Sequence, residues 1–335
     1  MKKKLMSAIA FLCICTLAFS GCTSASKSET PATNGTKTEE KATKTNLKMA
    51  TGGTSGTYYA YGGVVGQVIS EKTGISFDVQ STGASAANIR LINDNEVQIA
   101  IVQNDVMHYA YNGTDLFDGE ELKNFSSVAA VYAEVCQLVA SADSGINSVA
   151  DLKGKKVSVG DAGSGVEFNA KQIMNAYGVT FDDITKQNLS FADSANAMKD
   201  GKVDAFFCTA GAPTTAVMEL SSTNDIKIID ITGAEAEALI KDYPFYTAYT
   251  ISKDTYKGME KDATTIAVKA TFIANNDVAE DVIYEFTKAL FENKDEITAG
   301  HAKGAELDSG YAVEGISVPF HPGAEKYYKE AGVLN

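Results

Sequence analysis

The sequence has few of the side chains on which most enzymes and nucleic-acid-binding proteins depend. Its 335 residues include three histidines and a single arginine, Arg90. His108, His301 and His321 are scattered, without the H-E-x-x-H or Cys/His spacing of a metal site. The formal net charge of -14 leaves no basic surface for nucleic acid. We therefore expect no metal centre and no nucleic-acid partner.

Catalytic and nucleotide-binding motifs are also missing. The chain has no G-x-S-x-G nucleophile elbow, and its first glycine-rich loop lacks the lysine of a Walker A motif. Ser55 and Ser164 lie in glycine-rich loops, but no neighbouring base accompanies them. No carboxylate spacing singles out a catalytic pair. The sequence thus favours a protein that is not an enzyme and needs no cofactor.

The length and composition are those of a globular protein with more than one core. A chain of 335 residues suits two lobes better than one small domain. Hydrophobic residues make up 44% and charged residues 21%, which is ordinary for such proteins. The acidity is explained by solubility alone.

The N-terminal segment has the pattern of an export signal. Three lysines, Lys2 to Lys4, precede an apolar run at residues 5–19 that is too short to span a bilayer. The run leads into Ser20-Gly21-Cys22, which is typical of a lipobox cleaved before an acylated Cys22. We predict a lipoprotein signal peptide at 1–21; an ordinary secretory signal is the alternative.

A polar segment separates this signal from the rest of the chain. Residues 22–45 are rich in Thr, Ser, Lys and Ala and cannot bury an apolar face. They predict a disordered tether. Together with acyl chains on Cys22, the tether would hold the folded part outside the cell, anchored to the membrane.

Two glycine-rich loops are the strongest functional signal. Residues 50–63 follow a short apolar strand and lead into a helix, and residues 160–165 repeat this strand–loop–helix arrangement. Glycines let the backbone approach a ligand, and the first N–H groups of a helix favour negative charge. We predict that the backbone amides and hydroxyls of both loops, including Thr54 and Gly163, bind an anionic group.

The remaining chain alternates strands and helices, which predicts an α/β fold with largely parallel sheets. Residues 95–103 and 201–209 share a pattern and indicate two related lobes. The apolar run at 125–140 is a candidate crossover between lobes, and 247–251 a candidate return. Strand tips and glycine-rich loops would then face one crevice, where ligands of open α/β sheets bind.

Some side chains leave two interpretations open. Tyr58, Tyr59, Phe245 and Tyr246 suit either a ligand wall or core packing. Arg90 suits a carboxylate ligand or a structural ion pair. Glu167 and Asn169 suit an ammonium or amide ligand, although Glu167 is equally a favourable charge in a first helical turn. Cys136 and Cys208 lie in apolar strands and are expected to be buried free thiols.

Longer motifs run in order from about Asn46 to the C-terminus. They include A-T-G-G-T-S-G-T-Y-Y at 50–59, V-Q-N-D at 102–105, G-S-G-V-E at 163–167, Y-P-F-Y at 243–246 and H-P-G-A-E at 321–325. In these motifs the chain resembles the TAXI solute receptors, the extracytoplasmic binding proteins of one branch of TRAP transporters.

This resemblance implies a two-lobed type II binding-protein fold with two crossover strands and a ligand cleft between lobes. The implied segments are 46–135 for the first lobe, 136–246 for the second, and 247–335 for the return to the first. The implied ligand is a small organic anion such as glutamate, a related amino acid or a dicarboxylate. The implied partner is a TRAP-type membrane permease.

The candidate ligand-binding residues follow from the resemblance and the loops. The family motifs fall on Ser55, Thr57, Tyr58, Gln103, Ser164, Gly165, Glu167, Thr209 and Gly211; the loops and aromatic residues add Thr54, Gly163 and Phe245. The alternatives are a binding protein of an ATP-driven importer, a secreted α/β enzyme acting on a small acid, and an immunogenic surface protein without a transport partner.

Overall fold

The computed structural model describes residues 45–335. The predicted signal peptide, Cys22 and all but the last residue of the predicted tether lie outside this part. Within residues 45–335, no helix is long and apolar enough to cross a membrane.

The described residues form a mixed sheet with helices on its faces. The strands are β1 (Asn46–Ala50), β2 (Ser76–Gln80), β3 (Ile99–Gln103), β4 (Phe125–Ser141), β5 (Lys156–Ser158), β6 (Thr185–Gln187), β7 (Ala205–Ala210), β8 (Ile226–Ile229), β9 (Thr247–Ile251) and β10 (Ala263–Asn275). The helices are α1 (Thr57–Thr73), α2 (Ser85–Asn93), α3 (Asn104–Asn112), α4 (Gly165–Ala176), α5 (Phe191–Lys199), α6 (Thr215–Thr223), α7 (Ala234–Asp242), α8 (Glu280–Glu292), α9 (Lys294–Gly300), α10 (Ser309–Val313) and α11 (Pro322–Glu330).

Two long strands connect the two halves of the sheet. The strand order is β2-β1-β3-β10-β4-β7-β5-β6, with β8 beside β4 and β9 beside β10. Residues 125–132 of β4 pair with the end of β10, which also pairs with β3. Residues 135–141 of β4 pair with β7 and β8. The predicted crossover at 125–140 is therefore confirmed.

The return crossover was placed one strand too early. Strand β9 at 247–251 pairs only with the first residues of β10, whereas β10 continues from there to β3 in the other half. The expectation of largely parallel sheets is also wrong. Only the β1–β2, β1–β3, β5–β6 and β5–β7 pairs are parallel, since every strand that contacts β4 or β10 runs antiparallel to it. The predicted segment bounds at 135 and 246 stay predictions.

Local sequence explains where the helices that flank the site begin and end. Helix α1 starts after the extended Gly56 and ends at Gly74, whose φ of 77° is favourable only for glycine. Helix α4 starts after Ser164, whose hydroxyl accepts a hydrogen bond from the Glu167 amide. Both helices therefore present unpaired N-terminal amides at the carboxyl edge of the sheet.

The buried side chains form separate cores in the two halves. Helices α1, α8 and α11 cover one half, with Phe286 and Tyr328 fully buried among them. Helix α4 covers the other half, with Ile173 and Met174 packed on its strands. Cys136 and Cys208 are buried free thiols on adjacent strands, as expected.

Candidate functional site

A small cavity lies between the two halves of the sheet, at the carboxyl ends of β1, β3 and β7. Its volume is about 40 Å³, which holds at most a few water molecules. Its lining residues come from both halves: Gly52, Gly53, Ser55, Gly56, Thr57, Tyr58, Ala84, Ser85, Gln103, Glu134, Asp161, Ser164, Gly165, Val166, Phe191, Thr209 and Ala210.

The first glycine-rich loop forms one wall of the cavity. The Gly56 amide donates to the Gly53 carbonyl at 2.9 Å and closes a turn before α1. Thr57, the first residue of α1, donates from Oγ1 to the Gly211 carbonyl at 3.1 Å, 154 residues further along the chain. This bond joins the start of α1 to the end of β7 and brings the two halves into contact.

The second glycine-rich loop forms the opposite wall. Gly160 has a φ of 89°, and a Cβ atom there would lie 2.8 Å from Val166 Cβ, so the turn requires glycine. A Cβ atom on Gly165 would overlap the side-chain amide of Gln103, which comes from the opposite half. Glycine at 165 therefore permits the close approach of the two walls.

A third helix start completes the arrangement. Ser85, the first residue of α2, is buried, and its hydroxyl accepts a hydrogen bond from the backbone N–H of Gln103 at 3.1 Å. Helices α1, α2 and α4 thus all begin at the cavity. Because the N-terminus of a helix carries partial positive charge, the three starts create a site for an anionic group without a basic side chain.

Glu134 is the functional residue that sequence reasoning missed. It is the one charged residue of β4, is 3% exposed and lines the cavity. Tyr58 donates from its hydroxyl to Glu134 Oε2 at 2.6 Å. Burial raises the pKa of Glu134 well above its usual range, and the negative charge of Asp105 adds to this, while the Tyr58 bond opposes it. A single carboxylate in an otherwise apolar run was the available signal.

The charged side chains among the described lining residues are all acidic. Glu134 is one, and Asp161 is the other, with a pKa raised by burial and by the charge of Asp193. No lysine, arginine or histidine is among the described lining residues. The described lining residues therefore offer an anionic group backbone amides and hydroxyls rather than a basic side chain.

A buried hydrogen-bond network connects the halves behind the cavity. Gln103 Nε2 donates to Asn169 Oδ1 at 2.9 Å, and Asn169 Nδ2 donates to Asp105 Oδ2 at 3.1 Å and to the Tyr246 hydroxyl at 2.8 Å. Tyr246 in turn donates to Gln172 Oε1 at 2.6 Å. Burial raises the pKa of Asp105 to about 7, although its hydrogen bonds lower it. Asn169 therefore joins the two halves, Tyr246 supports it from its own half, and neither residue lines the cavity.

The structure brings seven of the twelve predicted ligand-binding residues together at the cavity. These are Ser55, Thr57, Tyr58, Gln103, Ser164, Gly165 and Thr209. Thr54, Gly163, Glu167, Gly211 and Phe245 are not among its lining residues.

Two of the outlying residues have structural partners instead. Glu167 Oε1 pairs with Lys186 at 2.5 Å, and Glu167 Oε2 accepts a hydrogen bond from the Gly163 amide at 2.7 Å. Phe245 packs against His108 and Tyr109. Of the two interpretations of Phe245, the structure thus favours packing.

Arg90 lies away from the cavity. Its guanidinium contacts Glu120 Oε2 at 2.7 Å on the surface and lies over the Phe117 ring. The structural ion pair is therefore the interpretation of Arg90 that the structure supports.

The model of the NMT1-like family matches residues 49–332 of the chain. Among solved structures, the chain is similar to PhnD1 from Prochlorococcus marinus in complex with methylphosphonate, with a TM-score of 0.54, 12% identity and coverage of 86% of this chain and 99% of that one. It is also similar to a protein from Bordetella bronchiseptica, with a TM-score of 0.52, 15% identity and coverage of 87% and 90%.

A third similar structure is the binding protein component of an ABC phosphonate transporter from Pseudomonas aeruginosa. Its TM-score is 0.51 at 14% identity, over 78% of this chain and 79% of that one. Structural similarity at such low sequence identity establishes the fold alone. The α/β, two-lobed type II periplasmic-binding-protein fold is thereby confirmed.

Proposed function

Because the chain belongs to the NMT1-like family, and because its fold is that of solute-binding proteins, we propose that it is the solute-binding receptor of a membrane transporter. The observation that carries the proposal is the interlobe cavity, onto which three helix N-termini converge. In this closed arrangement the cavity is small, and opening of the lobes would admit a small solute between its two walls. No serine or threonine hydroxyl among its described lining residues is hydrogen-bonded to a histidine or a carboxylate, so an enzyme is the weaker interpretation.

The transporter is proposed to be an ATP-driven importer. One similar structure is the binding protein component of an ABC phosphonate transporter, and this similarity supports such a partner. The TRAP-type permease implied by the TAXI resemblance has no support among the similar proteins. The ATP-driven alternative therefore replaces it as the leading interpretation.

The ligand is proposed to be a small solute with one anionic group, bound by the starts of α1, α2 and α4. Lobe closure would bring Gln103 and Gly165 together and exclude water from the ligand. Closure strengthens each amide–anion interaction because the surrounding dielectric constant falls. The closed lobes would then dock on the permease and release the solute.

The receptor is proposed to work outside the cytoplasm, with an acylated Cys22 as its membrane anchor. Residues 22–45 would then separate the lobes from the lipid surface and let them reach the permease.

The proposal is tested by a thermal-shift screen of the purified chain against amino acids, dicarboxylates, phosphonates and sulfonates. A ligand that binds only the folded state raises the melting temperature. We expect at least one small anionic solute to do so without being consumed. Absence of a shift with every solute at millimolar concentration, or turnover of the solute, would contradict a receptor.

The importer class is tested separately by uptake of the identified solute into cells that carry the receptor. Depletion of ATP with the ion gradients held constant is expected to stop uptake. Uptake that instead depends on the ion gradient would contradict an ATP-driven importer and support a TRAP-type permease.

A further inference from the structure

The cavity contains one acceptor atom without a donor in the described residues and a carboxyl group with a single donor. Gln103 is 1% exposed and lines the cavity, and its Oε1 has no hydrogen-bond partner among residues 45–335. Glu134 accepts one bond, from Tyr58, through Oε2. A buried acceptor without a donor is energetically unfavourable, so a ligand that supplies a donor removes this cost.

We propose that Gln103 and Glu134 form a subsite for a hydrogen-bond-donating, positively charged group of the ligand. The ligand class is then a small zwitterion with an ammonium group beside its anionic group, rather than a dianion. This inference rests on the proposed function and specifies the solute.

The charges around the cavity support this choice. The helix starts supply partial positive charge for one anionic group. A second anionic group would face Glu134 and Asp161, with no basic side chain among the described lining residues to compensate it. An ammonium group placed there would instead be attracted by these carboxyl groups in their ionised form, and hydrogen bonds to Glu134 and Gln103 would replace its bound water.

The subsite also couples ligand binding to proton release. Burial raises the pKa of Glu134 in the empty cavity and so favours its protonated form. A bound ammonium group favours the ionised carboxylate and lowers that pKa, so binding releases a proton from Glu134 to the solvent in the pH range between the two pKa values. The titratable groups that face Glu134 from the neighbouring elements are Tyr58, Asp105, Tyr132, Cys136, Cys208 and Tyr311.

The test uses solutes that differ only in the amino group. The pairs are L-alanine and propionate, L-aspartate and succinate, and 2-aminoethylphosphonate and ethylphosphonate. Isothermal titration of the purified chain should give at least tenfold tighter binding of the amino member in the pair that binds best. Equal or tighter binding of the member without the amine would overturn the subsite but leave the proposed function standing. Binding of neither member of any pair would overturn both.

Glu134→Gln is the matched variant. Glutamine retains an acceptor for the Tyr58 hydroxyl and removes only the charge. We expect it to weaken binding of the amino member at least tenfold and that of its partner less than threefold. An unchanged affinity for the amino member would contradict the proposal.

A measurement on the unsubstituted chain covers the case in which Glu134→Gln does not fold. Titration of the amino member in two buffers of different ionisation enthalpy gives the number of protons exchanged. Repeated from pH 5 to pH 8, the titrations are expected to show net proton release where Glu134 titrates. Proton uptake, or no exchange at any of these pH values, would contradict a role for Glu134 in binding the ammonium group.

Discussion

Gln103, at the tip of β3, donates a hydrogen bond from Nε2 to Asn169 Oδ1 on α4, at 2.9 Å and across 66 residues of sequence. Both side chains are buried, and the bond joins the two lobes directly behind the cavity. The same amide presents its unpartnered Oε1 next to Gly165. One side chain therefore takes part both in lobe closure and in the binding cavity.

The Gln103–Asn169 bond should appear as an energetic coupling between the two residues. We expect Gln103→Ala and Asn169→Ala each to lower the free energy of unfolding by about 1–3 kcal/mol, since each leaves a buried polar group without its partner. The double variant should lose about 1 kcal/mol less than the sum of the two. Urea unfolding of the four proteins measures this coupling. Strictly additive losses would show that the closed arrangement does not persist in solution.

Glycine at position 165 should be essential for solute affinity. The methyl group of Gly165→Ala would overlap the Gln103 amide and hold the lobes apart. We expect at least a tenfold loss of affinity for the solute identified by the thermal-shift screen, measured by isothermal titration. Gly63→Ala is the matched control, because a Cβ atom there meets no atom within 4 Å on an exposed face of α1. An equal affinity of both variants would contradict a closed binding state.

Asp105 should make stability depend on pH. Its pKa is raised to about 7 in the folded chain, from about 4 when unfolded. Since the folded state then binds more protons between these values, stability falls as pH rises from about 4 to about 7.

Asp105→Asn keeps an acceptor for Asn169 and removes the titration. We expect the variant to gain stability over the unsubstituted chain across this pH window, by a few kcal/mol at most. Melting temperatures of both proteins from pH 4 to pH 8 measure the difference. A constant difference would show that Asp105 does not titrate there.

Glu167 should act on stability rather than on binding. Burial tends to raise its pKa, but hydrogen bonds from Lys186, the Gly163 amide and Asn188 outweigh this, and the pKa is lowered overall. Glu167→Gln should therefore cost about 1 kcal/mol at neutral pH. Since a lowered pKa stabilises only the ionised form, this cost should vanish as the pH falls through the folded pKa of Glu167.

Solute affinity is the second measurement on Glu167→Gln. Because Glu167 does not line the cavity, we expect the affinity to stay within threefold of that of the unsubstituted chain. A tenfold loss, measured by isothermal titration, would return Glu167 to the binding residues.

The sequence predicted elements whose signal is local. The long apolar run of β4 and the two glycine-rich loops were recognisable because strand length, glycine and the following helix stand together in the chain. Lys269 interrupts the apolar pattern of strand β10, so the pattern alone does not indicate one continuous strand. In the fold, Lys269 is partly buried and its Nζ donates to the carbonyls of Tyr311 and Glu314, which satisfies the charged group inside a continuous strand.

Features created by distant partners could not be predicted in the same way. Tyr58 and Glu134 are 76 residues apart, and neither residue indicates the other. The antiparallel direction of β10 beside β3 depends on the connection through the whole second lobe. Glu167 was misplaced for a related reason, since its partner Lys186 lies 19 residues away on another element.

The central claim is that a small solute binds between the lobes, and Ser164 allows its most direct test. Ser164 is 2% exposed, lines the cavity and precedes α4. The measurement is isothermal titration of the best solute from the screen into Ser164→Trp, with Ser222→Trp on the exposed side of α6 as the control. We predict that Ser164→Trp abolishes binding while Ser222→Trp leaves the affinity unchanged. Retained affinity in a folded Ser164→Trp variant would contradict binding in the interlobe cavity.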